Sequence, residues 1–189
     1  VTGNDQNSSG DCPGGNATDI IGAVARTSTV STGTLQGNPA GRTWGSYANI
    51  YDSVDLRWDV ISDPTFPVDF DGVQPNWASL PSDSFPVVRV SGTFNGAGWN
   101  GRGVLIVRGE FDPTSSFYWD GIVLAGAVDD INEGHIRGML VGGLNAQNPK
   151  SPVVFESGGY IRYYSCYVYE ANESLSYLQL LVDTEFEVS

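Results

Sequence analysis

Lysine and histidine are almost missing from this chain of 189 residues, which has one lysine, Lys150, and one histidine, His135. Charged residues make up only 16% of the sequence, against about 25% in typical soluble domains. The 22 acidic residues outnumber the nine basic ones and give a net charge of −13. Because such a surface repels phosphate groups, the composition predicts no nucleic-acid partner.

Long hydrophobic runs are also missing. The longest apolar runs, such as residues 104–107, have the length of a strand, whereas a membrane-spanning helix needs about 20 apolar residues. We therefore expect no transmembrane segment in this chain. The sequence begins with Val1 rather than methionine, and we expect that an N-terminal signal or anchor segment was removed.

Cysteine is scarce: Cys12 and Cys166 lie far apart and form no CxxC motif or Cys/His cluster. If they pair, the disulfide closes a loop of about 155 residues and stabilises the fold by about 5 kcal/mol in the chain-entropy model. The alternative is two buried thiols. The low lysine content and the acidic balance favour an oxidising, extracytoplasmic setting, so we predict a Cys12–Cys166 disulfide.

Glycine and aromatic residues, in contrast, are abundant, with 24 glycines, nine tyrosines, eight phenylalanines and five tryptophans. This composition is typical of a turn-rich, mainly β protein. Residues 1–42 are rich in Gly, Ser, Thr and Asn and poor in apolar side chains, which predicts an extended arm. We therefore place a single domain at residues 43–189.

One stretch after the arm has the period of an amphipathic helix. Six apolar residues follow one another at spacings of 3, 4, 3, 4 and 3, which predicts a helix over residues 45–62 that ends at Asp63-Pro64. These residues are Trp44, Tyr47, Tyr51, Val54, Trp58 and Ile61. We expect the stripe to pack on the protein's own core; the alternative is that it packs on a partner helix.

A repeat of 17 residues is the most informative feature of the chain. Four glycines, Gly92, Gly109, Gly126 and Gly143, each close an apolar run at this constant spacing. A β-solenoid has such a period because equivalent residues of successive coils stack. We predict a right-handed parallel β-solenoid of about four to five coils in which these glycines stack. The alternative is a β-sandwich of hairpins with matching lengths.

The residues before each glycine predict which side chains face inward. We expect the inward positions to be those two and four before each glycine, namely Val90, Val107, Leu124, Val141, Val88, Leu105, Ile122 and Met139. The positions three before are Arg89, Ile106, Val123 and Leu140. Since three of these four are apolar, the outer face should also be covered, and the 45–62 helix is the expected cover. Arg89 should mark the edge coil where the cover ends.

The remaining segments are predicted from their local composition. Five prolines in residues 64–86 predict an irregular connector, and residues 145–152 interrupt the period as an inserted loop. We expect a last strand at 160–169, a short C-terminal helix at 170–181, and an edge strand from the alternating residues 183–189.

Four short segments resemble bacterial type IV pilus-assembly PilX-like proteins. They are GRGVLIV at 101–107, FYWDG at 117–121, GLN at 143–145 and YYSC at 163–166. The similarity covers about residues 86–178. It implies a bacterial envelope or cell-surface protein associated with pili, and no catalytic activity.

Candidate catalytic and metal-binding residues are few. His135 is expected in a turn between coils, near Glu133, as a structural residue, because no GxSxG motif occurs that could complete a triad. Acidic residues cluster at Asp52 and Asp55, at Asp69 and Asp71, and at Asp129, Asp130 and Glu133. We interpret these acids as solvated turn residues. Asp69, Asp71, Asp129, Asp130 and Glu133 are weak calcium candidates without a DxDxDG loop. We predict no enzyme and no cofactor.

Aromatic side chains offer the last candidate surface. Trp77, Trp99, Trp119, Tyr163, Tyr164 and Tyr167 could stack on glycans or form an assembly surface. The favoured hypothesis is a structural, extracellular or cell-surface protein, pilus-associated or filament-forming, that acts by self-association or adhesion. Its expected partners are other copies, pilus or envelope subunits, and surface glycans. The alternative is a carbohydrate-binding or polysaccharide-lyase-like module.

Overall fold

The computed structural model describes residues 23–25, 41–43, 56–114, 116–129, 131, 133–145 and 159–185. Two short strands, β1 (Ala23–Ala25) and β2 (Gly41–Thr43), pair in parallel within and just after the segment predicted to be an extended arm. None of the described helices combines the length and the apolar character needed to cross a membrane.

A six-stranded parallel sheet forms the body of the protein. Its strands follow chain order, and each pairs with the next in parallel. They are β3 (Phe70–Asp71), β4 (Val87–Val90), β5 (Asn100–Phe111), β6 (Tyr118–Val128), β7 (His135–Val141) and β8 (Tyr160–Arg162). The sheet is wound as a β-solenoid of about four turns. The predicted fold class is therefore confirmed, and the sandwich alternative is wrong, because it requires antiparallel pairs.

The stacking register differs from the predicted constant period by one residue. Val87 pairs with Val104, 17 residues later, but Val104 pairs with Ile122, 18 residues later. An irregularity between Val107 and Glu110 then restores the 17-residue spacing. As in a β-bulge, strand β5 has one more residue than β6 at this point, and that residue has no partner in β6.

This shift exchanges the two faces of the later coils. Val123 and Leu140, predicted to face outward, pack with the interior cluster. The interior set is Val88, Val90, Leu105, Val107, Val123, Ala125 and Leu140. The opposite, helix-covered face carries Val87, Val104, Ile106, Ile122, Leu124, Met139 and Val141. The predicted inward positions Ile122, Leu124, Met139 and Val141 are thus wrong, because a slip of one residue moves every side chain to the other face.

The predicted glycine stack holds for its first members only. A Cβ placed on Gly109 would overlap the backbone of Gly92, so these two glycines do stack. Gly126, however, lies beside the side chain of Asn145, whose backbone N–H donates to the Gly126 carbonyl at 2.8 Å. The residue shown to contact Gly126 from the next coil is therefore Asn145.

A second set of glycines is stacked in register. Gly103 pairs with Gly121, and Gly121 with Gly138, at φ angles of +109°, +131° and +148°. A Cβ at any of these positions would overlap the backbone of the preceding rung. These glycines allow the closest approach between coils.

The cover over the outer face comes mainly from the C-terminal helix. Helix α1 (Trp58–Ile61) is a single turn that ends at Ser62, and it buries Trp58 and Ile61 against the sheet. The rest of the predicted 45–62 helix, including Trp44, Tyr47, Tyr51 and Val54, lies outside the described residues. Helix α2 (Ser165–Glu185) buries Ala171 and Leu175 on the same face.

The predicted last strand and tail are wrong in extent. The strand ends at Arg162, and helix α2 begins at Ser165 rather than at residue 170. The physical reason is a helical spacing that runs through Tyr164, Val168, Ala171 and Leu175, at steps of 4, 3 and 4. The same helix continues through residues 183–185, so these do not form the predicted edge strand; residues 186–189 lie outside the described chain.

Arg89 is a buried residue and does not mark an edge. It is only 4% exposed, and its guanidinium donates to the Asp71 carboxylate at 2.7 Å and to the carbonyls of Asp63 and Phe66 at 2.8 and 2.9 Å. The 63–71 segment thus closes over Arg89, and β3 adds a strand beyond β4. The connector 64–86 is otherwise irregular as predicted, with one 3₁₀ turn, Trp77–Ser79.

Candidate functional site

Two rows of side chains lie side by side near the starts of strands β5 to β8. In the first row Tyr118, His135 and Tyr160 are register partners, and we call these three residues the aromatic ladder. Two residues further along each strand, a second row contains Arg102, Asp120, Arg137 and Arg162, which we call the guanidinium row. Side chains two apart on a strand share a face, so both rows lie on the same face as Ile122 and the helical cover.

The three rings of the aromatic ladder contact one another in sequence. The Tyr118 and His135 centroids are 4.5 Å apart with nearly perpendicular planes, and the His135 and Tyr160 centroids are 4.2 Å apart with planes inclined by 16°. In-register parallel strands produce this spacing, since neighbouring strands lie about 4.8 Å apart. His135 is therefore the first residue of β7 and a member of a stack, and the predicted turn position is wrong.

The ladder is partly open to solvent. Tyr118 is 43% exposed, while His135 and Tyr160 are half-buried. Burial raises the pKa of the Tyr160 hydroxyl, and the positive charges of Arg162 and Arg137 oppose this rise. The guanidinium of Arg162 lies over the Tyr160 ring, 4.3 Å from its centroid, in a cation–π contact.

The centre of the guanidinium row, Arg137, is held by a carboxylate and by two aromatic rings. Arg137 donates two hydrogen bonds to the Asp120 carboxylate, at 2.7 and 2.6 Å, and these bonds raise the pKa of Arg137. Its other neighbours are the rings of Tyr164 and Tyr167, at 5.8 and 5.1 Å. The bidentate pair fixes the guanidinium plane over which these rings pack.

The ends of the row differ from its centre. Arg102 donates to the carbonyls of Ser84 and Pro81, at 2.7 and 2.6 Å, and these neutral partners do not offset its positive charge. Arg162 is exposed and contacts Tyr160. The row thus holds three arginines and one aspartate on a chain with a net charge of −13, and the local charge is opposite in sign to that of the whole protein.

Asp69 and Asp71, one of the predicted acidic clusters, make structural contacts, whereas Asp52 and Asp55 lie outside the described residues. The hydrogen bonds from Arg89 lower the pKa of Asp71, and a carboxylate oxygen of Asp69 accepts the Val87 N–H at 2.7 Å. Asp129 follows β6, Glu133 is exposed, and Asp130 lies outside the described residues. Within the described ranges, no three His, Cys, Asp or Glu side chains are grouped so that they could hold a metal ion.

Two of the six predicted aromatic residues are buried and the other four are half-buried. Trp119 is 1% exposed and donates its Nε1–H to the Gly103 carbonyl at 3.0 Å. Trp77 and Trp99 are half-buried and pack edge-on against Trp119 and Phe94. Tyr164 is buried, and Tyr163 and Tyr167 are half-buried.

Sequence reasoning missed Tyr118 and Tyr160, although a signal for the ladder existed. Tyr118 and His135 each stand three residues before a register glycine, Gly121 and Gly138. Two ring-bearing residues at the same offset from stacked glycines predict a row of rings. The four glycines of the 17-residue repeat have no ring-bearing residue at this offset, so the repeat by itself does not indicate the row.

The two cysteines and the family resemblance remain predictions. Cys166 lies in the first turn of α2, and Cys12 lies outside the described residues. Comparison with known proteins finds no matching family model, no matching curated protein and no matching solved structure. The similarity to PilX-like proteins therefore rests on the four short segments, of which 101–107 lies in β5 and 117–121 begins β6. Such segments specify a fold better than a role.

Proposed function

We propose that this chain is a structural protein of the bacterial cell surface or exterior, pilus-associated or filament-forming, that acts by self-association or adhesion. The observation that carries the proposal is the open parallel sheet. Within the described part of the chain, the terminal strands β3 and β8 each pair with one neighbour only. An unpaired strand edge is a template for another strand, so the two ends of the solenoid are candidate joints between copies.

Strand β8 is the better defined of these two ends. The N–H of Tyr160 donates to the Gly134 carbonyl at 3.0 Å, so the main-chain groups of Tyr160 face β7. In a parallel ladder alternate residues bond to opposite sides, and the N–H and C=O of Ile161 therefore face outward. Because β8 has three residues, few bonds form at this joint, and we expect association that strengthens with protein concentration.

An exported protein of this kind gains stability from a covalent link. We propose that Cys12 and Cys166 form a disulfide, supported by their number, the low lysine content and the place of Cys166 beside the last strand. Peptide mapping without reductant is expected to recover a cross-linked pair of peptides containing these two residues. Recovery of both peptides with unmodified thiols would contradict the pairing.

Light scattering over a range of protein concentrations tests self-association. We expect the mean mass to rise above the 20.2 kDa of one chain. Ile161→Pro removes the outward N–H but no hydrogen bond between β7 and β8, and it should reduce the rise in mean mass. Ile161→Val keeps the N–H and is the matched control. A strict monomer at the highest concentration, with and without calcium, would overturn the proposal.

A further inference from the structure

We propose that the aromatic ladder and the guanidinium row together form a binding site for an acidic saccharide, meaning a sugar polymer that carries carboxylate groups. This site goes beyond the proposed self-association and does not depend on it. The strand edges at β3 and β8 would join copies, whereas the ladder and the row would bind a ligand on the face of the sheet.

The helical cover closes over the middle of the guanidinium row, where Tyr164 and Tyr167 pack on Arg137, but leaves Tyr118 and Arg162 accessible. Helix α2 begins at Ser165, and its buried residues Ala171 and Leu175 pack in the cluster that contains Ile122 and Leu124. The rows of the site lie closer to the starts of the strands than this apolar cluster does. Tyr118 at one end of the ladder is 43% exposed, and Arg162 at the other end is exposed.

The ladder provides what a sugar ring needs from a protein surface. A pyranose has an apolar face of C–H groups, and aromatic rings with polar edges complement such a face. Three rings in register, with centroid separations of 4.5 and 4.2 Å, form one continuous strip along the sheet. The His135 and Tyr160 faces lie against each other and under Arg162, so the ring face that can contact a sugar is that of Tyr118, which is nearly perpendicular to His135.

The guanidinium row selects for negative charge. Asp120 neutralises Arg137, but in the described part of the chain neither Arg102 nor Arg162 pairs with a carboxylate. The planar fork of an arginine matches the two oxygens of a carboxylate. Because the rest of a chain of net charge −13 repels a polyanion, a positive row beside the ladder directs an acidic polymer to this face.

Isothermal titration at low salt with three ligands tests the proposal. An oligogalacturonate carries sugar rings and carboxylates, its methyl ester carries the rings alone, and polyglutamate carries carboxylates alone. We expect the oligogalacturonate to bind about tenfold more tightly than either of the others, and added salt to weaken its binding. Equal binding of polyglutamate would assign the site to an acidic protein segment, and no binding of oligogalacturonate would overturn the proposal.

Two substitutions locate the binding. Arg162→Gln should remove most of the preference for the oligogalacturonate over its methyl ester. Tyr118→Ala should weaken the binding of both. The matched controls are Arg57→Gln and Tyr169→Ala, which change an arginine that is 66% exposed and a tyrosine that is 62% exposed outside the site. Unchanged oligogalacturonate binding in both site variants would also overturn the proposal. Light scattering of Tyr118→Ala, which changes β6 and not a terminal strand, should still show self-association, which separates the two proposals.

Discussion

Gly138 lies so close to the carbonyl oxygen of its register partner Gly121 that a side chain at position 138 would overlap this oxygen. Gly121 bears the same relation to the Gly103 carbonyl. Adjacent coils therefore approach each other along a row of glycines where no other residue fits. This row lies between the guanidinium row and the apolar cluster under the helix, so it sets the spacing on which both depend.

Gly138→Ala is expected to destabilise the protein by about 3–4 kcal/mol, because it combines a backbone strain with a steric overlap. Gly98→Ala is the matched control. Gly98 also has a positive φ, +75°, but a Cβ there meets nothing within 4 Å, so its cost should be about 1–2 kcal/mol. Urea unfolding measures the loss of unfolding free energy in both variants. Equal costs would show that the close approach at Gly138 contributes nothing.

The buried Arg89 gives a second prediction. Arg89→Ala leaves the Phe66 carbonyl without its Arg89 donor and the Asp63 carbonyl with the Phe66 N–H alone, and should lower the free energy of unfolding by about 3 kcal/mol. Arg57→Ala removes an exposed pair with Asp59, whose atoms are 3.9 Å apart, and should cost less than about 0.5 kcal/mol. Thermal unfolding checks that Arg89→Ala destabilises the protein more than Arg57→Ala does. A small effect of Arg89→Ala would contradict the conclusion that the buried Arg89 holds the 63–71 segment.

The pH dependence of stability should reflect Asp71. Its pKa in the folded protein lies below the ordinary value of 3.8 because Arg89 donates to its carboxylate. The contribution is therefore fully present above pH 3.8 and is lost as the pH falls through the folded-state pKa. We expect the difference in unfolding free energy between the wild type and Asp71→Asn to shrink on acidification from about pH 6 to about pH 2. A difference that stays constant over this range would contradict the contact.

The C-terminal cover gives a fourth prediction. Leu175 is buried against the outer face of the sheet, and Leu175→Ala should destabilise the protein by about 2–3 kcal/mol. Glu173→Ala, at an exposed position of the same helix, should be nearly neutral. Binding of a fluorescent hydrophobic dye should increase in Leu175→Ala, because the apolar face beneath the helix becomes accessible. No difference between the variants would show that α2 does not cover the sheet.

The parallel stack could be predicted from the sequence, but its register could not. Glycines at a constant spacing with apolar flanks indicate stacked coils, and the sheet has this arrangement. The one-residue change between β5 and β6 leaves no mark in composition, because Val123 and Leu124 are both apolar and either can face inward. Where both faces of a strand are buried, hydrophobic patterning does not fix the register.

The end of the sheet and the candidate site were missed for related reasons. The tyrosines and Cys166 after Arg162 favour a strand locally, but packing of Ala171 and Leu175 on the sheet makes the segment helical. Tyr118 and His135 lie about 17 residues apart, and only the parallel register brings their rings together. Contacts of this kind follow from the fold and not from a local motif.

Cryo-electron microscopy of the concentrated protein tests the central claim most directly. If copies join end to end through β3 and β8, the images should show filaments whose strands run across the long axis, with a repeat of about 4.8 Å along it. Ile161→Pro should shorten or abolish them. Single particles of one chain at every concentration, or filaments without this repeat, would contradict a scaffold that assembles through its open sheet.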